Sequence, residues 1–329
     1  MDDIKSIYKY NQALATIRKA YNVLILVHER PDGDALASMC ALSVLLDKLN
    51  IGYTLFSADP PSPAFSFLPN WEKITTERER VENKNFFQFD LIILVDCACM
   101  SRSKLEKEIK HRKSYQFVIE LDHHPCREKQ ASDLEIRFPQ AAATTELIYY
   151  FLKHNQIKIT KDLAECILTG ILTDTVNFFH PSATKETIDI ASKMLAKGAQ
   201  FPKISKKIWQ NKNVNAMRLW SVVLGNLRIN PKYNIAFTVL TEKEMEKFQE
   251  DEEVLESITN FLNNLKDVKA VVFLRQEKKG LIKGNLRTNH PRVNVAKLAN
   301  HLGGGGHIKA AGFSLKGEIK KTTNGWKVV

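Results

Sequence analysis

Three short apolar runs, each ending in aspartate or histidine, constrain this chain more than any other feature. Residues 22–27 (NVLILV) lead into His28-Glu29-Arg30-Pro31-Asp32-Gly33-Asp34, residues 91–95 (LIILV) into Asp96, and residues 117–121 (FVIEL) into Asp122-His123-His124. Runs this apolar, without polar alternation, read as strands of a parallel sheet buried on both faces. Open α/β sheets bind their ligands beyond the carboxyl ends of such strands. Asp174, near the end of a helical pattern over 161–175, adds a fourth cluster. Repeated Asp and His at these places make a metal site the leading explanation.

The rest of the chain supports two domains. Between residues 21 and 196 the apolar runs alternate with helical patterns at 35–50, 143–155, 161–175 and 184–198, which predicts a doubly wound α/β domain. Residues 58–67, with Pro60, Pro61 and Pro63, read as a loop. Residues 201–226 read as connecting helices. Beyond Pro231 the pattern gives a strand at 234–240, helical stretches at 242–249 and 253–265, strands at 268–274 and 281–286, and a short helix at 293–301 before Gly303-Gly304-Gly305-Gly306. The expected division is a catalytic domain at 1–196, a helical linker at 197–230, and a smaller α/β substrate-binding domain at 231–329.

Composition narrows the class. The 329 residues are 44% hydrophobic and 26% charged, ordinary for a soluble globular protein. No apolar stretch approaches the ~20 residues that span a bilayer, and the charged start does not look like a signal peptide. The five cysteines form no CxxC pair. These features predict a reduced, cytoplasmic protein with no membrane partner. The net charge of +11 is segregated: residues 266–329 hold 14 Lys+Arg and 3 Asp+Glu, which accounts for the whole excess. A solvated basic face is the ordinary reading of a charge run, but this segregation points to an anionic partner, phosphates being the simplest.

The chemistry follows from residue types. His28, Asp32 and Asp34 bring one nitrogen and two carboxylates to one loop. Asp96, Asp174 and the Asp-His-His cluster would join them in a cleft that is strongly repulsive without cations. A mixed imidazole and carboxylate shell suits Mn²⁺, with Zn²⁺, Co²⁺ or Fe²⁺ as alternatives and Mg²⁺ less natural. Two such ions ~3.5–4 Å apart can share a water and clamp a phosphoryl group. Taken singly, each cluster has an ordinary explanation: Asp-Gly-Asp as a surface turn, an Asp after a strand as a helix N-cap, His-His as a structural pair. Their joint order and placement outweigh those readings.

That order resembles the four signature motifs of the DHH phosphoesterase superfamily: His28-x-x-x-Asp32-Gly33-Asp34, Asp96, Asp122-His123-His124 and Asp174. Residues 303–312 (GGGGHIKAAG) resemble the glycine-rich signature of its associated substrate-binding domain. Within the superfamily the chain is most similar to the small oligoribonucleases, or nanoRNases, that also act on 3′-phosphoadenosine 5′-phosphate (pAp). The resemblance implies that His28, Asp32 and Asp96 hold one metal and that Asp34, Asp96, His123 and Asp174 hold a second, with Asp96 bridging. His124 would face the substrate phosphate or help the leaving oxygen, and Asp122 would orient an imidazole. Arg287, Gly304, Gly305, Gly306 and His307 would grip a substrate phosphate, the glycines by close approach of backbone N–H groups. Arg102 matches a basic residue of the family pattern and is otherwise an ordinary surface arginine.

The implied activity is 3′→5′ hydrolysis of short oligoribonucleotides to 5′-mononucleotides and dephosphorylation of pAp to AMP. The alternatives are a phosphodiesterase for linear or cyclic dinucleotides (pApA, cyclic di-AMP) and a silent nucleotide-binding protein, which the intact ligand set argues against. Short RNA or nucleotides are the expected partners, and a homodimer is allowed. Two departures stand out. Val176 sits where the family pattern has glycine, and Cys97, Cys99 and Cys126 could suggest a thiolate zinc site, though their spacing fits core or loop cysteines better.

Overall fold

The computed structural model describes residues 4–125, 131–209, 213–248, 252–277, 280–322 and 325–329. The chain divides into two compact units, 1–211 and 212–329. The first contains α1 (Ile4–Lys19), β1 (Asn22–Leu26), α2 (Gly33–Leu49), β2 (Gly52–Phe56), β3 (Ile74–Thr75), β4 (Leu91–Val95), α3 (Glu106–Lys110), β5 (Phe117–Asp122), β6 (Leu134–Arg137), α4 (Thr144–His154), α5 (Lys161–Asp174), α6 (Lys185–Ala196) and α7 (Phe201–Trp209).

Its sheet has the order β3-β2-β1-β4-β5-β6, with every pair parallel. Chain order reverses outward from β1 and β4, whose carboxyl ends carry His28 and Asp96. The apolar runs are explained by burial on two faces. Val23, Ile25 and Val27 enter the large core with α1, α2, α4 and α5, while Leu24 and Leu26 enter a second core with Phe86, Phe89, Leu105 and Ile109. All five residues from Val23 to Val27 are fully buried.

The structure adds elements that the apolar pattern did not predict. Helix α1, strands β2, β3 and β6, and the short α3 all lie in the first unit. The loop expected at 58–67 contains a single 3₁₀ turn at Pro63–Phe65, and Phe65 folds back into the large core. Strand β6 (LEIR) was missed because it is short and alternates, as a sheet edge does.

The second unit contains α8 (Val214–Gly225), β7 (Arg228–Asn230), β8 (Ile235–Leu240), α9 (Glu242–Glu246), α10 (Glu252–Leu262), β9 (Ala270–Glu277), β10 (Leu281–Arg287), α11 (Val295–His301), β11 (Gly305–Gly306), β12 (Ala310–Lys316), β13 (Ile319–Thr322) and β14 (Gly325–Val328). Its main sheet has the order β11-β12-β10-β9-β8-β7. Only β8 and β9 are parallel; the other pairs are antiparallel. Strands β13 and β14 form a separate hairpin. Among the described residues no helix is long and apolar enough to cross a membrane.

Candidate metal centre and phosphate site

The first-unit motifs converge. His28 follows β1, and Asp32 caps α2, its Oδ1 accepting from the N–H groups of Asp34 and Ala35 at 3.0 and 3.1 Å. The ordinary N-cap reading and the metal reading therefore apply to the same residue, because Oδ2 remains, 3.6 Å from His28 Nε2. Asp96 follows β4 in a left-handed backbone conformation (φ 57°). That is uncommon for a residue other than glycine and is often found at functional sites. Asp122 ends β5, and Asp174 ends α5.

Asp96 is the hub. Its Oδ2 lies 4.0 Å from His28 Nε2, and its Oδ1 lies 3.6 Å from His123 Nε2 and 3.3 Å from His124 Nδ1. His123 Nε2 is also 3.1 Å from Asp174 Oδ2. Among the described residues, three groups of donors are close enough to hold a metal ion: His28, Asp32 and Asp96; Asp34, His123 and Asp174; and Asp96, His123 and His124. All six residues expected as metal ligands fall in these groups, and so does His124.

The residues present fit divalent cations. Among the described residues, Asp96 Oδ2 is buried without a hydrogen-bond partner, a costly state that a metal would relieve. Charge crowding says the same. Burial raises the Asp34 carboxyl well above its ordinary range, and the neighbouring Asp96 and Asp174 raise it further. Burial likewise raises Asp174, against the opposing pull of His123. Burial works against protonation of His123, but Asp174 and then Asp96 outweigh it and lift the imidazole well above its usual value. The cluster thus disfavours several ionised carboxylates at once, a penalty that cations would remove.

Several contributing residues were not anticipated. The start of α4 clamps Asp34: the Thr144 N–H donates to Oδ2 at 2.5 Å, and the Thr145 N–H and hydroxyl donate to Oδ1 at 3.1 and 2.8 Å. The Thr144 hydroxyl donates to Asp96 Oδ1 at 2.8 Å. A helix N-terminus favours negative charge, and two threonines in a first turn after Ala141-Ala142-Ala143 were the available signal. Gly170, inside α5, permits this packing, because a Cβ there would collide with Asp34 Oδ1 and Thr145. Arg102 is no ordinary surface residue. Its Nη2 lies 3.1 Å from His28 Nδ1, and its carbonyl accepts from the Glu29 N–H at 2.7 Å.

Asp122 pairs with His124. Asp122 Oδ1 lies 3.0 Å from His124 Nδ1 and accepts the His124 N–H at 2.7 Å. Burial opposes the charged imidazole, yet Asp122 and Asp96 push its pKa up to about 10. The described cysteines belong to none of these groups. Cys97 is buried in the second core, Cys99 is half-exposed, and no candidate metal group among the described residues contains a cysteine. Cys126 lies outside the described residues. Val176 adopts φ 49°, followed by Asn177 at 57° and Phe178 at 67°, so valine occupies a conformation that favours glycine.

In the second unit, Arg287 ends β10, and its Nε donates to Asn260 Oδ1 at 3.1 Å. The glycine run differs from the expected open cradle. The N–H groups of Gly303 and Gly304 donate to the carbonyls of Asn300 and Ala299 at the end of α11, at 3.1 and 2.8 Å. Gly305 and Gly306 form β11 against β12. A Cβ on Gly304 would strike the backbone of Gly312 and Phe313. Close packing against β12 is therefore what requires glycine at 304, and its N–H does not face an anion. His307 is exposed beside this strand.

Comparison with known proteins agrees with the geometry. Residues 22–171 match the N-terminal domain of the DHH family, and residues 232–323 match the DHHA1 domain. Together these matches take in most of the chain, which belongs to the DHH family. The chain is 26% identical over 308 residues to the bifunctional oligoribonuclease and PAP phosphatase NrnA of Bacillus subtilis (strain 168), covering 92% of each chain. It is 28% identical to the protein of the same name from Thermus thermophilus, covering 90% of this chain and 84% of the relative. Among solved structures, an exopolyphosphatase-related protein from Bacteroides fragilis superposes with TM-score 0.85 at 26% identity, covering 93% of this chain and 90% of the other. RecJ of Thermus thermophilus, in complex with Mn²⁺, shares the fold with TM-score 0.56 at 15% identity, covering 96% of this chain and 53% of RecJ.

Proposed function

We propose that this protein is a divalent-metal-dependent phosphoesterase of the cytoplasm. It hydrolyses short oligoribonucleotides 3′→5′ to 5′-mononucleotides and dephosphorylates pAp to AMP. The observation that carries the reading is Asp96, which offers one carboxylate oxygen to the His28 side and the other to the His123 side of a buried cluster of carboxylates and imidazoles. Relatives named for both activities, matched over nearly their whole length, support the substrate class.

In this reading His28, Asp32 and Asp96 hold one ion, and Asp34, Asp96, His123 and Asp174 hold the second. The mixed nitrogen and oxygen donor set favours Mn²⁺ over Mg²⁺, with Co²⁺, Zn²⁺ and Fe²⁺ as alternatives. Bound there, the ions would supply Lewis acidity to the phosphoryl group. The chain's own residues do the rest. Thr144 and Thr145 fix the carboxylates, Asp122 orients the His124 imidazole, and His124 meets the charge that develops on the phosphate or the leaving oxygen. Residues 1–196 carry this chemistry and 197–230 link it to 231–329. There Arg287 and His307 hold an anionic end of the substrate, beside the Gly304, Gly305 and Gly306 backbone that packs against β12.

The test is a substrate panel of pAp, di- to pentaribonucleotides, pApA and cyclic di-AMP, assayed in chelator and after addition of Mn²⁺ or Mg²⁺. Chelation should abolish turnover, and Mn²⁺ should restore it better than Mg²⁺. Asp96→Ala should lose both turnover and most bound metal by elemental analysis. Preference for cyclic di-AMP over pAp and short RNA would replace the substrate assignment. Full activity in excess chelator without bound metal would overturn the metal assignment.

A further inference from the structure

Strand β6 places an arginine directly behind the Asp-His-His motif. Arg137 is opposite Asp122 in the β5–β6 register, and its side chain is only 8% exposed. Nη1 donates to the His124 carbonyl at 2.7 Å and lies 3.4 Å from Asp122 Oδ2. Nη2 pairs with Glu120, and Nε donates to Glu135 Oε1 at 2.6 Å. One planar guanidinium thus faces three carboxylates and a carbonyl. Burying such a group is unfavourable unless its donors are satisfied, and here the three nitrogens reach four acceptors.

The connection runs to the reacting side. Asp122 Oδ2 also accepts the Ala98 N–H at 2.6 Å, two residues past Asp96. Asp122 Oδ1 faces both the N–H and the Nδ1 of His124. Arg137 therefore touches His124 twice, directly at its carbonyl and indirectly through Asp122. We propose that Arg137 is a positioning residue: its guanidinium fork fixes the His124 carbonyl and the Asp122 carboxylate together, and so sets the direction in which the His124 imidazole meets the departing oxygen of the substrate. This rests on the phosphoesterase reading, in which the water oxygen bonds to phosphorus as the ester P–O bond breaks. The electron pair stays on the leaving oxygen, which the His124 imidazole faces, and the proton released by the water reaches that oxygen by way of solvent.

A lysine keeps the charge but not the fork, so Arg137→Lys separates positioning from charge. With poor leaving groups such as the ribose oxygen of pAp, kcat should fall by ~10–100-fold, the usual cost of losing an outer support. KM for pAp should stay near the wild-type value. Hydrolysis of bis-p-nitrophenyl phosphate, whose leaving group needs no proton, should change little, and Mn²⁺ content should equal wild type. In the metal-free protein the His124 cross-peaks of a two-bond ¹H–¹⁵N spectrum should shift, and those of His28 should not. If Arg137→Lys does not fold, Glu135→Gln removes one anchor of Arg137 at a 40%-exposed side chain and should give the same selective loss in smaller measure. Equal loss on both substrates, no loss on either, or an unmoved His124 spectrum would overturn the inference. A wild type inactive on pAp and short RNA would instead overturn the phosphoesterase reading, while the spectrum still judges Arg137.

Discussion

The Thr144 hydroxyl donates to Oδ1 of Asp96 at 2.8 Å, inside a fully buried contact. The first turn of α4 thereby holds the hub of the candidate metal centre across 48 residues of sequence. Thr144→Val keeps the shape and removes the donor. A hydrogen bond to a charged group contributes about 1.5–3 kcal/mol, so the metal-free variant should melt at a lower temperature in calorimetry. Its Mn²⁺ affinity should drop by ~10–100-fold. A Mn²⁺ titration indistinguishable from wild type would show that Asp96 does not depend on this support.

The turn after Asp174 carries strain that one substitution can relieve. Val176 is β-branched and sits at φ 49°, where an L side chain costs roughly 1–2 kcal/mol. Glycine removes that cost but adds about 0.5–1 kcal/mol of unfolded-state freedom. Val176→Gly should therefore raise stability by a net ~0–1.5 kcal/mol, a rise in Tm of up to a few degrees for a unit of this size. A lower Tm would mean that packing of the valine side chain outweighs the backbone strain.

The pH dependence of the metal-free protein has a source outside the ligand set. Burial pushes the Glu120 carboxyl up to about 7; Arg137 pulls it down, and Asp122 and Glu135 add to the rise. The folded state therefore binds this proton more tightly than the unfolded state. Its contribution to stability is fully present below the unfolded value near 4.5 and is lost as the pH rises through about 7. Glutamine mimics the protonated form at every pH. The Tm of Glu120→Gln minus that of wild type should grow between those two values and level off above them. A constant difference across that window would contradict the raised pKa.

What the sequence made legible followed from burial and local spacing. Strands β1, β4 and β5 were visible because both their faces are covered, which removes polar positions from Val23 to Val27 and from Leu91 to Val95. The six candidate ligands were visible because aspartate and histidine recur beyond those strands. Their supports were not, because each acts across the chain: Thr145 on Asp34 at a separation of 111 residues and Thr144 on Asp96 at 48, while Arg102, singled out only as a match to the family pattern, reaches His28 across 74. Nothing local marks a threonine or an arginine for such a task. The glycine run misled in a different way. Its composition suggested an anion cradle, whereas the Gly304 N–H closes α11 and its missing side chain admits β12.

Arg287 offers the sharpest test of how labour is divided between the two units. It ends β10, beside the basic excess of residues 266–329, and the Arg287 Nε–Asn260 hydrogen bond orients its guanidinium. An arginine held this way suits a paired contact to phosphate. Arg287→Ala should bind Mn²⁺ like wild type, since among the described residues every candidate metal ligand belongs to residues 28–174. Turnover of pAp and of 5′-phosphorylated dinucleotides should fall mainly through a higher KM, by ~10-fold or more if the lost charge-assisted contact contributes about 1.5–3 kcal/mol. Bis-p-nitrophenyl phosphate has no second phosphate to hold, so its hydrolysis should be nearly unaffected. Equal impairment of the model ester and pAp would place Arg287 in the fold or the chemistry and remove it from substrate anchoring.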